Sequence, residues 1–279
     1  MAAQSDLIIF SDGPKNDGSR ESVSKTREIL RAVQGFKSVE LILRNENLGL
    51  AKSIILGVTE LIARRGKLIV LEDDLITSPY FLQFMNDALD YYQDDERVIS
   101  VNGYKYPFKG GTEGNYFLRG ADCWGWGTWK RGWDLFESDG NKLLSQFKGR
   151  KIRNQFDVFG SYPYVKMLHD QIQGKNNSWA IRWQASAFLN GKLTLYPGRS
   201  LVNNIGMDNS GTHSLSSSQF DTPMSMQRIL IESIPVIENE AMLEELRRYF
   251  LSIQPKLATR IRGKLAGLRN KLIRKGFHS

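Results

Sequence analysis

Short apolar runs alternate with helix-length amphipathic stretches along the first part of the chain. Residues 6–10 (DLIIF) read as a strand that stops at Ser11, Asp12, Gly13 and Pro14, a strong turn signal. Residues 19–33 have helical spacing, with Ser19 and Ser22 placed to cap the start. Residues 39–43 (VELIL) predict the next strand and 45–50 a turn. A helix follows over 51–65, with Ile54, Ile55, Val58, Leu61 and Ile62 on one face. Residues 67–71 predict a central strand whose run Leu68, Ile69, Val70, Leu71 suits burial on both faces. A helix over 80–92 after Pro79 and a strand over 98–101 complete a β-α-β-α-β-α-β order. That order predicts an α/β fold: a mostly parallel, Rossmann-like sheet flanked by helices.

The pattern then changes. Residues 104–133 are dominated by aromatics and glycines with little periodicity, as in a layer of binding loops over a scaffold. Residues 152–173 and 179–189 predict helices, 193–196 a short strand, and 203–219, rich in Asn, Ser and Gly, a loop. A linker begins at Pro235 and Val236, dividing the chain into a domain over 1–235 and a helical basic tail over 236–279. In the tail, Leu257, Ile261, Leu265, Leu268 and Leu272 recur at helical steps among Lys and Arg. Such a basic amphipathic helix suits an anionic membrane surface, or it packs its leucine stripe on the body or on a second subunit.

Charge sharpens the picture of the tail. The chain has 38 basic and 30 acidic residues, a net charge of +8. The whole surplus is Lys256, Arg260, Arg262, Lys264, Arg269, Lys271, Arg274 and Lys275. The body is therefore neutral, which argues against a nucleic-acid partner, since nucleic-acid domains spread basic residues over a folded face. A single cysteine, Cys123, excludes an internal disulfide framework and suits a reducing, cytoplasmic setting. No segment reaches the ~20 apolar residues of a membrane span, and residues 1–5 lack the pattern of a secretory signal. The expected location is cytoplasmic, peripheral at the inner face of the plasma membrane if the tail is the anchor.

Glu72, Asp73 and Asp74 end the central strand. Three consecutive carboxylates are costly to place together unless something positive shares the site, and a divalent cation carrying a nucleotide phosphate is an economical answer. In open α/β sheets, ligands bind at the carboxyl ends of the strands, where this cluster falls. The plainer reading is an acidic loop that caps the next helix.

Four segments in order carry a resemblance. Val70 to Leu75 (VLEDDL), followed by Ser78, Pro79, Tyr80 and Phe81, resembles the acidic motif of the N-acetylglucosaminyltransferase I family, whose members have the GT-A glycosyltransferase fold. The turn Asn47, Leu48, Gly49, Leu50, Ala51 is similar to a segment that family-2 glycosyltransferases place near the nucleotide. Residues 123–133 (CWGWGTWKRGW), and Asn204, Ile205, Gly206 with Ser210, Gly211, Thr212 and His213, resemble motifs of bacterial polysaccharide glycosyltransferases. The resemblance spans roughly residues 6–220. It implies a metal-dependent, inverting transfer of a hexose or N-acetylhexosamine from a nucleotide-diphosphate donor to a growing, lipid-linked cell-surface glycan. It also implies Mn²⁺ or Mg²⁺ held by Asp74, ribose or donor-sugar hydroxyls held by Glu72 and Asp73, and Asp12, Asn47 and Gly49 near the nucleotide. For Asp12 an Asx turn is an equal alternative. His213 is a further candidate metal ligand. Trp124 and Trp126 are expected near donor or acceptor, and Trp129 and Trp133 in the core.

Two departures accompany the resemblance. The family's catalytic base is an Asp in a short Trp-Asp-x-Trp stretch. The nearest match, Trp179 to Trp183 (WAIRW), is one residue longer and has Ala180 where the Asp stands. Asp122, Asp170 and Asp208 are the candidate bases, with Asp122 first because it abuts the aromatic motif in a glycine-flanked loop. The first β-α unit of the GT-A fold also has no counterpart ahead of residue 6. The alternatives are a non-catalytic glycan- or membrane-binding relative and another nucleotide-sugar enzyme such as a nucleotidyltransferase; the latter needs an early phosphate loop that is not visible.

Overall fold

The computed structural model describes residues 1–108, 110, 112–206 and 218–254. The first strands and helices fall where the periodicity puts them: β1 (Asp6–Ser11), α1 (Arg20–Arg31), β2 (Ser38–Leu43), α2 (Leu50–Arg65) and β3 (Lys67–Val70). A short β4 (Leu75–Thr77) leads to α3 (Phe81–Tyr91) and β5 (Val98–Asn102). Then come β6 (Tyr116–Arg119), β7 (Trp126–Trp129) and α4 (Lys130–Trp133). The helices α5 (Gly140–Gln146), α6 (Arg150–Phe156), α7 (Tyr164–Ile172) and α8 (Trp179–Leu189) precede β8 (Leu193–Tyr196), β9 (Val202–Asn204) and α9 (Glu240–Ile253).

The result is a mixed α/β fold, but its main sheet is not the parallel one that the element order predicts. Five strands run β3-β7-β5-β8-β6, and only the β5/β8 pair is parallel. The cause is two strands inside the segment read from sequence as loops. β6 pairs antiparallel with β8, and β7 inserts antiparallel between β3 and β5, pairing Ile69 with Gly127 and Val101 with Gly127. The glycine makes this possible, because a Cβ at position 127 would lie 3.0 Å from both the Leu68 carbonyl oxygen and the Met85 side chain of α3. All four residues of β7 are buried, so no alternation marks it as a strand. β1 and β2 form a separate parallel pair, Leu7 opposite Val39 through Ser11 opposite Leu43, and β4 pairs antiparallel with β9.

The predicted helix over 152–173 is two helices. Val158, Phe159 and Gly160 all have positive φ (47°, 55° and 78°), and Pro163 precedes α7, so the chain turns sharply between α6 and α7. The principal core joins α3, β5, β6 and β8 to α9, whose Met242, Leu246 and Phe250 are 0%, 7% and 1% exposed. That helix falls in the stretch read as tail, yet its apolar face is part of the body. The leucine-striped segment of the tail, 255–279, lies outside the described residues.

Candidate functional site

The carboxyl ends of β1 and β3 each deliver an acidic residue to one cleft, a cavity of about 670 Å³ that Asp12, Glu72 and Asp73 line at that end. Asp12 does not make an Asx turn. Its Oδ2 accepts hydrogen bonds from the backbone N–H groups of Leu48 (2.9 Å) and Gly49 (2.8 Å), and Arg44 donates to its Oδ1 at 3.5 Å. The carboxylate thus satisfies the amides that lead into α2, where a negative charge is also favoured by the helix dipole. Asn47 donates from Nδ2 to the Gly13 carbonyl (3.0 Å), stitching the two loops together. Gly49, the residue before α2, sits at φ 73°, ψ 157°, a conformation that glycine adopts without penalty. These three residues therefore shape the rim of the cleft through its backbone.

The acidic run beyond β3 is of a different kind. Among the described residues, no Lys or Arg forms an ion pair with Glu72, Asp73 or Asp74. Burial first, then the charges of Asp74 and Asp73, push the Glu72 carboxyl up to about 7. Asp74 is raised as well, by burial and by Asp73, and partly held down by a hydrogen bond that Asn204 donates from Nδ2 to its Oδ2 (3.3 Å). The β4/β9 pairing, Leu75 opposite Asn204, brings Asn204 there. The Ile205 N–H donates to the Asp74 carbonyl (2.8 Å), and a Cβ at Gly206 would stand 2.4 Å from Asp74 Oδ2. The Asn-Ile-Gly segment thus lies directly on the acidic run.

The third component is the loop before β7. Asp122 is half-buried; Tyr106 donates to its Oδ2 (2.8 Å), Tyr196 donates more weakly (3.5 Å), and the Cys123 N–H donates to its Oδ1 (3.1 Å). Burial raises its carboxyl above the usual range despite these donors. It lines a cavity of about 210 Å³ with Cys123, Trp124, Ala180 and Gln184. Burial and then the charges of Asp122, Glu72 and Asp74 push the Cys123 thiol up, so this one side chain lies within the fields of both acidic groups. The cavity and the acidic run are neighbours across Cys123.

The tryptophans divide differently from the expectation. Trp124 is half-buried at the cavity, edge-on to Tyr104 (4.7 Å between centroids) and Phe220 (5.6 Å). Trp126 is 0% exposed, enclosed by Trp133, Trp179 and Trp183 at 5.4–5.8 Å, and offers no face to a ligand. Trp129 and Trp133 are in the core as expected. Asp170 is not brought to the site as a free base: Lys166 and Lys175 pair with it, and the Lys166 hydrogen bond holds its carboxyl low. Asp208 and His213 lie outside the described residues. Sequence reasoning missed Tyr106, Tyr196 and Gln184, which surround Asp122 from β8, α8 and a loop; nothing in their local spacing marks them.

Among the described residues, no group of three His, Cys, Asp or Glu side chains could hold a metal ion by itself. The donor set suits a cation that brings its own ligands. Mg²⁺ or Mn²⁺ bound with a nucleotide diphosphate takes one or two carboxylates and completes its shell with phosphate oxygens and water. No protein-family model matches the chain, and no curated protein matches it.

Proposed function

We propose that this chain is a metal-dependent glycosyltransferase of GT-A-like architecture. It would move a hexose or N-acetylhexosamine from a nucleotide-diphosphate donor to a growing, lipid-linked cell-surface glycan, with inversion at the anomeric carbon. The observation that carries the proposal is the run Glu72, Asp73, Asp74 at the carboxyl end of a strand: Glu72 and Asp74 are partly buried and Asp73 is exposed between them, with no cationic partner among the described residues and with Glu72 raised to about 7. Such a cluster gains most from a cation that arrives with its substrate.

In this reading Asp74 is the carboxylate that holds Mn²⁺ or Mg²⁺, and Glu72 and Asp73 accept hydrogen bonds from ribose or sugar hydroxyls. A divalent cation held by Asp74 would supply positive charge for the diphosphate leaving group. Asp12, Asn47 and Gly49 fix the rim against which the nucleotide lies, and Trp124 offers an indole edge to a sugar. Asp122 takes the proton of the acceptor hydroxyl as its oxygen bonds to the anomeric carbon. Its raised pKa favours it as a base, and Ala180, at the position matching the family's Asp, lines the same cavity. The basic segment 255–279 would hold the enzyme on the anionic inner face of the plasma membrane, near lipid-linked acceptors.

The test is thermal unfolding with UDP, GDP, CDP and dTDP, each with and without Mn²⁺. A ligand at ~100 times its Kd adds roughly 2.7 kcal/mol to the folded state. A rise with one nucleotide that needs Mn²⁺ and disappears in Asp74→Asn supports the assignment and names the donor base. No rise with any nucleotide sinks it and leaves the non-catalytic reading.

A further inference from the structure

The cavity of about 210 Å³ beside Asp122 holds polar groups that the fold leaves without partners. Gln184 of α8 accepts the Ala121 N–H at its Oε1. That bond assigns the side-chain amide: Oε1 faces the backbone, and Nε2 keeps two N–H donors with no hydrogen-bond partner among the described residues. The amide also lies against Gly120, where a Cβ would stand 2.2 Å from Oε1, so it has little room to turn. The Tyr162 hydroxyl likewise bonds to no described residue. Burial and then the charge of Asp122 push that hydroxyl up, which places it at the same cavity.

The charge of the walls has one sign. Asp122 is the one acidic residue lining the cavity, and among the described residues no Lys, Arg or His lines it. Arg119 borders a smaller cavity behind Asp122, of about 70 Å³, but its guanidinium donates to the Phe188 carbonyl at 3.0 and 3.1 Å and lies over the Phe188 ring. The remaining walls are largely aromatic, with Tyr106, Trp124, Tyr162 and Phe220 among them. Ring surface, amide and hydroxyl donors and a carboxylate acceptor together match a pyranose, whose C–H bonds pack on aromatic rings and whose hydroxyls both donate and accept. The volume lies below the ~300–1,000 Å³ of pockets for drug-sized ligands, so it suits a single ring. A sugar with its own carboxylate does not match. Its charge would stand near Asp122 with no cation between them, where burial strengthens the repulsion.

We propose that this cavity is the subsite for one uncharged sugar ring, the terminal residue of the acceptor. Gln184 Nε2 and the Tyr162 hydroxyl donate to its oxygens and determine specificity, and Asp122 excludes sugars that carry a carboxylate. The role as acceptor rests on the glycosyltransferase reading; the class of ligand does not. A site whose donors are left unpaired when the ligand lacks an oxygen also discriminates among neutral sugars.

Saturation-transfer NMR on the full chain at pH 8 tests it. The probes are the methyl glycosides of glucose, galactose, their 2-acetamido forms and the two matching uronic acids, each titrated to about 20 mM, with and without nucleotide and Mn²⁺. At least one neutral glycoside is expected to bind with a millimolar Kd, and its uronic acid counterpart at least tenfold more weakly. Tyr162→Phe removes a hydroxyl that holds nothing in the fold; it should weaken neutral binding about three- to tenfold at unchanged Tm. Asp122→Asn should bring the uronic acid glycoside to within about threefold of its neutral parent. Three outcomes overturn the proposal: no glycoside binds under either condition; a uronic acid glycoside binds wild type as tightly as its parent; or Tyr162→Phe leaves neutral binding unchanged. Sugar binding without any nucleotide response would keep this inference and sink the transferase reading, and a Mn²⁺-dependent nucleotide response without sugar binding would do the reverse.

Discussion

Replacing Glu72 by Gln tests the electrostatic core of the site without any ligand. The Glu72 carboxyl moves from 4.5 in the unfolded chain to about 7 in the folded one. At ~1.4 kcal/mol per pH unit this is worth at most about 3.5 kcal/mol, and partial exposure brings it nearer 2 kcal/mol. The sign follows from proton binding. Below pH 4.5 both states are protonated and the group's contribution to stability is fully present. Between pH 4.5 and 7 the unfolded chain has released its proton and the folded one has not, so stability falls as pH rises, and above about 7 the loss is complete. Glutamine has the same shape and no charge. Urea unfolding at pH 5 and pH 8 should therefore find Glu72→Gln close to wild type at the lower pH and more stable by about 2 kcal/mol at the higher, roughly 4–8 °C in Tm for a chain of this size. Other titrating groups largely cancel in the difference between the two proteins. A stability difference that is the same at pH 5 and pH 8 would refute the claim that Glu72 is held at a cost in an acidic cluster with no cationic partner among the described residues.

Four other substitutions probe separate parts of the structure. Asp12→Ala removes the acceptor shared by the Leu48 and Gly49 amides and should cost about 2–3 kcal/mol in urea unfolding; a loss below ~0.5 kcal/mol would show that water replaces it freely. Trp126→Ala empties the centre of the tryptophan cluster and should cost about 3–5 kcal/mol, whereas the half-buried Trp124→Ala should cost less than half of that; equal costs would contradict the burial difference. Gly206→Ala places a methyl group 2.4 Å from Asp74 Oδ2 and 2.8 Å from Asp74 Cβ, so it should displace Asp74, cost about 1–2 kcal/mol of stability and reduce the affinity behind the Mn²⁺-dependent nucleotide shift at least tenfold; an unchanged affinity would mean that Asp74 does not hold the cation.

The sequence located most elements but not the sheet they form. Periodicity places α2 and α3 to within a residue because each has one apolar face toward the core, as with Val58, Leu61 and Ile62 in α2. It misses β7 because all four residues of Trp126, Gly127, Thr128 and Trp129 are buried, and a strand covered on both faces has no alternation to read. That strand makes β3 and β5 neighbours of an antiparallel partner and not of each other, and β6, also hidden in the aromatic segment, adds a second antiparallel pairing on β8. The break between α6 and α7 is hidden for another reason: Val158 and Phe159 take up positive φ through tertiary context, against the preference of both residue types.

The acidic site divides along the same physical line. What a residue could do by its chemical type was legible: Glu72, Asp73 and Asp74 at a strand end, Asp122 in a glycine-flanked loop. What each residue is already bonded to was not. Asp12 has the same functional group and the same position at a strand end as Glu72, yet its oxygens are committed to two backbone amides and an arginine, and those of Glu72 have no cationic side chain paired with them among the described residues. The difference comes from residues more than thirty positions away, the turn before α2, which supplies donors to one carboxylate and none to the other. An acid whose partners are built into the fold holds the fold, and Asp12 is in that sense the framework of the cleft. Under the proposed function, the run Glu72, Asp73, Asp74 is where a cation arriving with its substrate would be placed, because that cluster gains most from one.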